Sequence, residues 1–439
     1  MNKKREKITD EIKISEDLIK QIERRVSDLP SLKKEIKENF DESISALFSL
    51  IMAGGISLGT SDIHIEPKEE TAKMRIRVDG VLQDVIKFDK DIYKKILSRI
   101  KLISGVKLNV ENKPQDGRFT IIYSPTKEEK EHSIEIRMSI LPSEYGGAVV
   151  MRILDPRNLI TIDKLGLRKD LLETFKREIK KPNGMIIVTG PTGSGKTTSL
   201  YAFLKDIRDP GIKIITIEDP IEYHLDGISQ TEVAPDKGYD FANGLRAIVR
   251  QDPDAILVGE IRDLETASIG LQAALTGHTV FSTLHTNDAA GAIPRLQALG
   301  EKPVNIAPAI NVIIAQRLVR RLCDRCKKEI TLEETESIKK IKESLEDIDI
   351  ELNFNPQTEV FKAKGCKTCN FTGYSGRLGI FEALVISENL EDLIFSNPST
   401  SEIRNKAIEE GMITLKQDGL IKFLKGETTL EEIDRVIGI

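Results

Sequence analysis

The chain has 439 residues, 39% of them hydrophobic and 31% charged, with a net charge of -5 and four cysteines. That length exceeds what one core can hold and predicts two or three globular domains, while the mildly acidic balance gives no global basis for binding nucleic acid directly. No apolar run reaches the ~20 residues of a membrane-spanning helix, and no apolar stretch follows the N-terminal lysines as in a secretory signal, so the expected compartment is the cytoplasm.

In chain order, residues 1–40 carry 11 Lys/Arg and 9 Asp/Glu. Their sparse apolar residues predict a charged, solvated helical segment broken at Pro30-Ser31, either a linker or a partner-docking helix. Residues 41–155 predict a smaller α+β domain. Helical spacing over 41–58 is followed by alternating runs at 61–66, 73–78 and 81–86, the last two joined by an Asp79-Gly80 turn. Helical spacing returns over 90–104, and three alternating runs follow at 119–123, 134–140 and 148–154. His64, on one alternating run, is expected to be structural. After a linker at 156–163, residues 164–322 alternate strand and helix as in a doubly wound α/β domain. Strands are predicted at 185–189, 213–217, 255–259 and 279–284, and helices near 169–180, 196–207, 241–250, 264–275 and 288–298. Residues 323–386 hold both cysteine pairs. Residues 387–439 read as helical, with a capped last helix opening at Thr428-Thr429.

The most specific stretch is Gly190-Pro191-Thr192-Gly193-Ser194-Gly195-Lys196-Thr197-Thr198. It lies between an apolar strand pattern and a helix pattern and matches the P-loop at every fixed position. Glycines let backbone N–H groups turn in around phosphate oxygens, and the helix N-terminus adds positive potential. Lys196 then reaches the β/γ-phosphates of ATP, and Thr197 offers a hydroxyl to Mg²⁺.

Hydrolysis also needs a carboxylate to orient water. The apolar run Ala255–Val258 is followed by Gly259 and then Glu260, the leading residue for that task. Gly259 stands where many P-loop proteins place a metal-holding aspartate. A second acidic cluster, Glu218, Asp219 and Glu222, follows another predicted strand. Ligands of open α/β sheets gather outside such strand ends, so these acids are expected near the site. His278 and His285 flank the strand pattern at 279–284; the ~20 Å span of that strand rules out a shared metal. His285, at the strand's far end, reads as a γ-phosphate sensor or as a satisfied core histidine.

Cys323 and Cys326 form one C-x-x-C pair, and Cys366 and Cys369 form another, 39 residues further on. Four thiolates suit a closed, structural Zn²⁺ site, and the charged spacer around 333–346 reads as a helical insertion. Neither pair opens a thioredoxin-like unit, which disfavours a redox motif.

Four stretches in order, GPTGSGKTT, TIEDPIEY, ILVGEIRD and TGHTVFSTLHTNDA, resemble the Walker A, Asp box, Walker B and His box of the secretion ATPases. These are the motors of type II secretion and type IV pilus assembly. SDIHIEP, RIRVDG, KPQDGR and LKQDGL extend the resemblance over about residues 41–439. It implies a RecA-like P-loop domain preceded by a smaller α+β domain, with a tetracysteine zinc module. Gly259 fits the family, whose members keep only the glutamate, with Glu218 assisting at metal or water. The resemblance further implies that Arg137 and Arg152 approach nucleotide phosphates. Arg246 and Arg250 would lie at a subunit boundary, and Arg377 beyond the zinc module would join them. It implies a cytoplasmic homo-hexamer on the inner face of the membrane, driving pilin assembly or protein secretion through an inner-membrane platform protein. Family members that carry the metal module are assembly or secretion motors rather than retraction motors. They also often carry an extra N-terminal docking domain, for which only a charged segment of about 40 residues stands here. A DNA-uptake or conjugation-type motor is the alternative, and it would need a basic channel that the sequence does not supply.

Overall fold

A computed structural model describes residues 11–123, 132–335, 337–346, 348 and 354–438. The first ten residues of the charged N-terminal segment, and part of the spacer between the cysteine pairs, lie outside them. The chain divides into two compact units, Met1–Asn158 with Lys364–Ser375, and Leu159–Ala363 with Gly376–Ile439.

The first unit opens with β1 (Glu11–Ile14), α1 (Glu16–Arg25), α2 (Leu29–Glu38) and α3 (Ile44–Ser57). Three strands follow, β2 (Asp62–Pro67), β3 (Thr71–Val78) and β4 (Val81–Asp89), then α4 (Lys90–Ile103). It closes with β5 (Gln115–Tyr123), β6 (His132–Ser143) and β7 (Gly146–Leu154). The strands form one seven-stranded sheet in the order β1-β5-β6-β7-β2-β3-β4. β3 buries every second residue, because alternate side chains point to opposite faces and only one face meets the helices. Ile63, Ile65, Met74 and Ile76 from the strands join Ile51, Ile96 and Ile100 from the helices in one core.

The charged N-terminal segment departs from the expectation of a solvated helical linker. Its first described residues pair with β5 as a parallel edge strand, Ile12 and Ile14 turned inward. Ile19, Ile22 and Val26 fall on one face of α1, and Leu32 and Ile36 on one face of α2; all five are buried in the core. The apolar residues look sparse in sequence because both elements bury one face only and leave most of their charges outside, Glu35 on α2 being buried.

The second unit begins with α5 (Lys169–Glu178), β8 (Gly184–Thr189), α6 (Lys196–Ile207), β9 (Ile214–Glu218) and β10 (Ser229–Glu232). Next come α7 (Phe241–Val249), β11 (Ala255–Val258), α8 (Leu264–Leu275), β12 (Thr279–Leu284), α9 (Ala292–Leu299) and α10 (Pro303–Ile306). It continues with β13 (Ile310–Leu322), β14 (Lys328–Thr331), α11 (Ile338–Leu345), β15 (Glu359–Lys362) and β16 (Tyr374–Val385). Four helices end the chain, α12 (Glu388–Phe395), α13 (Thr400–Glu409), α14 (Leu415–Leu424) and α15 (Leu430–Ile437).

The large sheet runs β10-β9-β11-β12-β8-β13-β16, with β8 parallel to both its neighbours. Every residue of β8 is buried. Met185 and Ile187 pack into one core, Ile186 and Val188 into another, so the sheet is covered on both faces, as a continuous apolar run predicts. β13, missed in the sequence, and β16 extend this sheet. Leu378, Ile380, Phe381 and Leu384 are buried in its two cores. Residues 376–385 are therefore part of the core sheet rather than of the cysteine module. A small β14–β15 sheet and α11 share a separate core with α14 and α15. No described helix is long and apolar enough to cross a membrane.

Buried carboxylates join the terminal helices to the sheet. Asp418 on α14 accepts from Arg168 at 2.6 Å, from Lys422 at 3.0 Å and from the Phe381 N–H at 2.8 Å. Glu432 on α15 accepts from the backbone and guanidinium of Arg320 at 3.0 and 2.8 Å. Removing one member of a buried ion group leaves the others uncompensated. Asp418→Ala is therefore expected to lower unfolding free energy by about 3–5 kcal/mol in urea titrations. Burial pushes the Glu432 carboxyl up, but hydrogen bonds from Arg435 and Arg320 outweigh it and bring it down to about 2. Its folded pKa is depressed, so its stabilisation is present above the ordinary carboxylate range and lost as pH falls toward that value. Glu432→Gln should flatten the acid limb of a melting-temperature profile.

Candidate active site

β8 delivers the chain into the glycine loop directly above β13, and that approach dictates the glycines. A Cβ on Gly190 would lie 2.6 Å from the Gln316 carbonyl oxygen, and one on Gly195 2.8 Å from the Gln316 amide nitrogen. Both glycines also hold positive φ. Gln316 is fixed in turn by the Ser199 hydroxyl on α6 at 2.7 Å. Lys196 opens α6 and donates to the Gly190 carbonyl at 2.8 Å. Burial lowers its pKa, opposed by the nearby charges of Glu260 and Glu222. The Ser194 hydroxyl is buried without a hydrogen-bond partner. A helix N-terminus, a lysine and an unsatisfied hydroxyl around one loop fit the phosphate chain of a nucleotide.

Glu260 stands just past β11. Its oxygens face Arg262, which forms an ion pair with it, and His285 at 3.4 Å. Arg262 also reaches toward Asp219, at 3.6 Å. The Gly259 N–H donates to the Ile217 carbonyl at 2.8 Å, and a Cβ there would sit 3.4 Å from the Glu218 Cα. β9 thus lies in close contact with this position, and Gly259 is tied to it through the backbone. Thr283 Oγ1 donates to the Gly259 carbonyl at 2.8 Å and holds the end of β11 against β12. A half-buried carboxylate fixed this way, beside a lysine poised for phosphate, can orient and deprotonate a water.

The two histidines separate cleanly. His278 sets its ring Nδ1 3.0 Å from the Ala273 carbonyl and serves the backbone. His285 is about half exposed and faces Glu260, so it is not a core histidine.

Glu218 is placed differently from expectation. Its carboxylate is buried and accepts from the Tyr201 hydroxyl, from Thr216 Oγ1 at 2.6 Å and from Gln230 Nε2 at 3.2 Å. Burial raises its pKa, and those hydrogen bonds act against the rise. Both oxygens thus accept hydrogen bonds from the protein. Of the acids in this turn, Glu222 is the one whose charge acts on Lys196.

Arg137 and Arg152, in the first unit, lie directly opposite each other on β6 and β7. The register continues the row to Arg118 on one side and to Asp62 and Arg77 on the other. Asp62 receives Arg152 and Arg77, each at 3.2 Å, and Arg137 pairs with Glu135 at 3.0 Å. The row thus holds four arginines and one aspartate, and Asp62 and Glu135 pair with three of the four. Arg118 and Arg77 were missed in the sequence, where nothing but strand register could have aligned them. In the second unit, Arg246 pairs with Glu265 on α8, and Arg250 and Arg377 are exposed. Arg262 and Arg317 were also missed. Arg317 lies beneath the loop and donates to the Asn287 carbonyl at 2.8 Å.

The four cysteine sulfurs all lie within 4.8 Å of one another. Those of Cys366 and Cys369 are 3.8 Å apart. An ion ~2.3 Å from each of four sulfurs sets them about that far apart, so the donor set fits a tetrahedral thiolate site. The Cys366 and Gly373 N–H groups donate to the Cys369 sulfur at 3.1 and 3.3 Å, as suits a thiolate.

A central parallel strand, glycine loop and helix, with a strand-end glutamate facing the loop, define a P-loop ATPase. The chain belongs to the type II/IV secretion system protein family, whose model matches residues 37–435. It is 40% identical over 417 residues to the type IV pilus assembly ATPase PilB of Myxococcus xanthus, spanning 93% of this chain and 72% of that one. It is 41% identical over 411 residues to the type II secretion system ATPase E of Vibrio cholerae, spanning 93% and 78%. Among solved structures, the pilus retraction motor PilT with bound ADP aligns with a TM-score of 0.57 at 27% identity, over 88% of this chain and 95% of that one. The Legionella pneumophila ATPase DotB shares the fold, with a TM-score of 0.62 at 21% identity over 89% and 95%.

Tyr201→Phe would strip one donor from a buried, already destabilised carboxylate. It is expected to cost about 1–3 kcal/mol, read as a lowered urea midpoint.

Proposed function

We propose that this chain is the motor subunit of a homo-hexameric ring at the cytoplasmic face of the inner membrane. It hydrolyses ATP to drive pilin or pseudopilin assembly, or protein secretion, through a membrane platform protein. The observation that carries this reading is Glu260 held between Arg262 and His285 beside the P-loop lysine, in a chain about 40% identical to pilus-assembly and secretion ATPases.

In this mechanism the loop Gly190 to Thr198 wraps the phosphates, and Lys196 leaves the Gly190 carbonyl to hold the β/γ-phosphates. Thr197 would hold Mg²⁺, which when bound offsets phosphate charge. Glu260 takes a proton from the attacking water as the water oxygen bonds to the γ-phosphorus and the bond from that phosphorus to the departing ADP breaks. His285 senses the γ-phosphate from beside Glu260. Arg137 and Arg152 would neutralise the charge that develops on the transferred group, and Arg246, Arg250 and Arg377 would do so at ring boundaries. Planar guanidinium groups suit phosphate better than point charges do. Cys323, Cys326, Cys366 and Cys369 would hold a structural Zn²⁺.

Lys196→Ala is expected to abolish ATP binding in a fluorescent-nucleotide titration. Glu260→Gln should still bind ATP but turn it over about 10²–10⁴-fold more slowly. Substantial steady-state turnover by Glu260→Gln would remove the general-base role. Cys366→Ser is expected to lose zinc by metal analysis and to lower the melting temperature while nucleotide affinity holds. Full zinc occupancy in that variant would count against the metal assignment.

A further inference from the structure

Four contacts converge on the short segment that follows His285. The Thr286 N–H donates to the Thr189 hydroxyl, at the end of β8, at 2.8 Å. Arg317 on β13 holds the Asn287 carbonyl at 2.8 Å. Asp288 forms an ion pair with Arg404, on α13. The Ala289 N–H donates to Glu382 Oε1, on β16, at 2.9 Å. The second oxygen of Glu382 accepts from the N–H of Leu415, the first residue of α14, at 3.2 Å. The segment is therefore tied on one side to the strand that launches the glycine loop, and on the other to the C-terminal helices.

The chemistry of Glu382 is unusual for simple packing. It is 4% exposed and sits beside the Asp288 carboxylate, and burial raises its pKa. Apolar side chains would attach α14 to the sheet with no such desolvation cost, but apolar contact is non-directional. A carboxylate whose two oxygens each take an N–H from a different element fixes their mutual geometry, because hydrogen bonds weaken steeply off-axis. Arg404 offsets the charge of Asp288 in the same cluster. Asp288 also caps its own turn, accepting the Gly291 N–H at 2.8 Å through its other oxygen. None of these groups touches the glycine loop.

We propose that Asp288, Glu382 and Arg404 are positioning residues for hydrolysis, anchoring the segment Thr286–Ala289 to the C-terminal helices so that His285 stays aimed at Glu260. This rests on the reading of His285 and Glu260 given under Proposed function. It ties the C-terminal helices to the catalytic apparatus through Arg404 on α13 and the Leu415 N–H of α14. Displacing a reacting group by 1 Å can cost about 10²-fold in rate, so a loosened tether has a measurable consequence.

The test is ATP turnover by the full chain. Arg404 is partly exposed, so Arg404→Ala should fold. It is expected to lower kcat by about tenfold or more, with KM for ATP within about twofold and the melting temperature unchanged. Arg404→Lys, which keeps the ion pair, should recover most of the loss. Asp288→Asn, which keeps the Gly291 bond but drops the charge, should show the same split between kcat and KM. In a His285→Ala background, Arg404→Ala should have little further effect, because a residue acting through His285 has nothing left to position. Wild-type kcat in Arg404→Ala, or an equal further loss in the His285→Ala background, would overturn the proposal. If His285→Ala itself turns over normally, the reading of the site fails and the inference with it. A slow His285→Ala beside a normal Arg404→Ala defeats the inference alone.

Discussion

The close passage of β13 beneath the glycine loop is the constraint on which the catalytic unit depends. Gln316 fills the space that a side chain at residue 190 or 195 would need, and it hydrogen-bonds the first turn of α6 through Ser199. Its neighbour Arg317 reaches past the loop to the backbone of Asn287. One pair of adjacent residues on a buried strand thus sets the floor of the phosphate cradle and part of the path of the segment after His285. The glycines of the motif are as much a requirement of this packing as of the ligand.

Carboxylates do most of the remaining organisation, and their roles follow from where their oxygens are committed. Glu218, Glu382, Asp418 and Glu432 are all buried, and each is held by hydroxyl, amide, backbone or cationic donors. They join strand to strand and helix to sheet. Glu260 differs because it is only partly buried and its neighbours, Arg262 and His285, are themselves about half exposed to solvent. A carboxylate used for chemistry must exchange partners, whereas one used for architecture must not.

Much of this was legible from the chain alone. The strand-loop-helix unit, the glutamate after an apolar strand and the paired cysteines are short-range patterns, and each lies where its spacing implied. The N-terminal segment was misread because a half-buried strand and two amphipathic helices show few apolar residues while burying most of those described. β13 was missed because Gln316, Arg317, Arg320 and Arg321 interrupt its apolar residues and leave no regular period. The partners of Glu218 were not legible, because strand-end position alone does not reveal that Tyr201, Thr216 and Gln230 converge on it.

The sequence by itself determined that the chain binds a nucleotide, because a phosphate cradle is built from consecutive backbone groups and needs no distant partner. It also determined the family, since four motifs occur in fixed order. Only the tertiary structure decided which charged groups meet. Arg118, Arg137, Arg152 and Arg77 fall into one row through strand register, and Arg404 reaches Asp288 from 116 residues away. Such pairings are set by packing many residues at once, so no local pattern of residues can encode them.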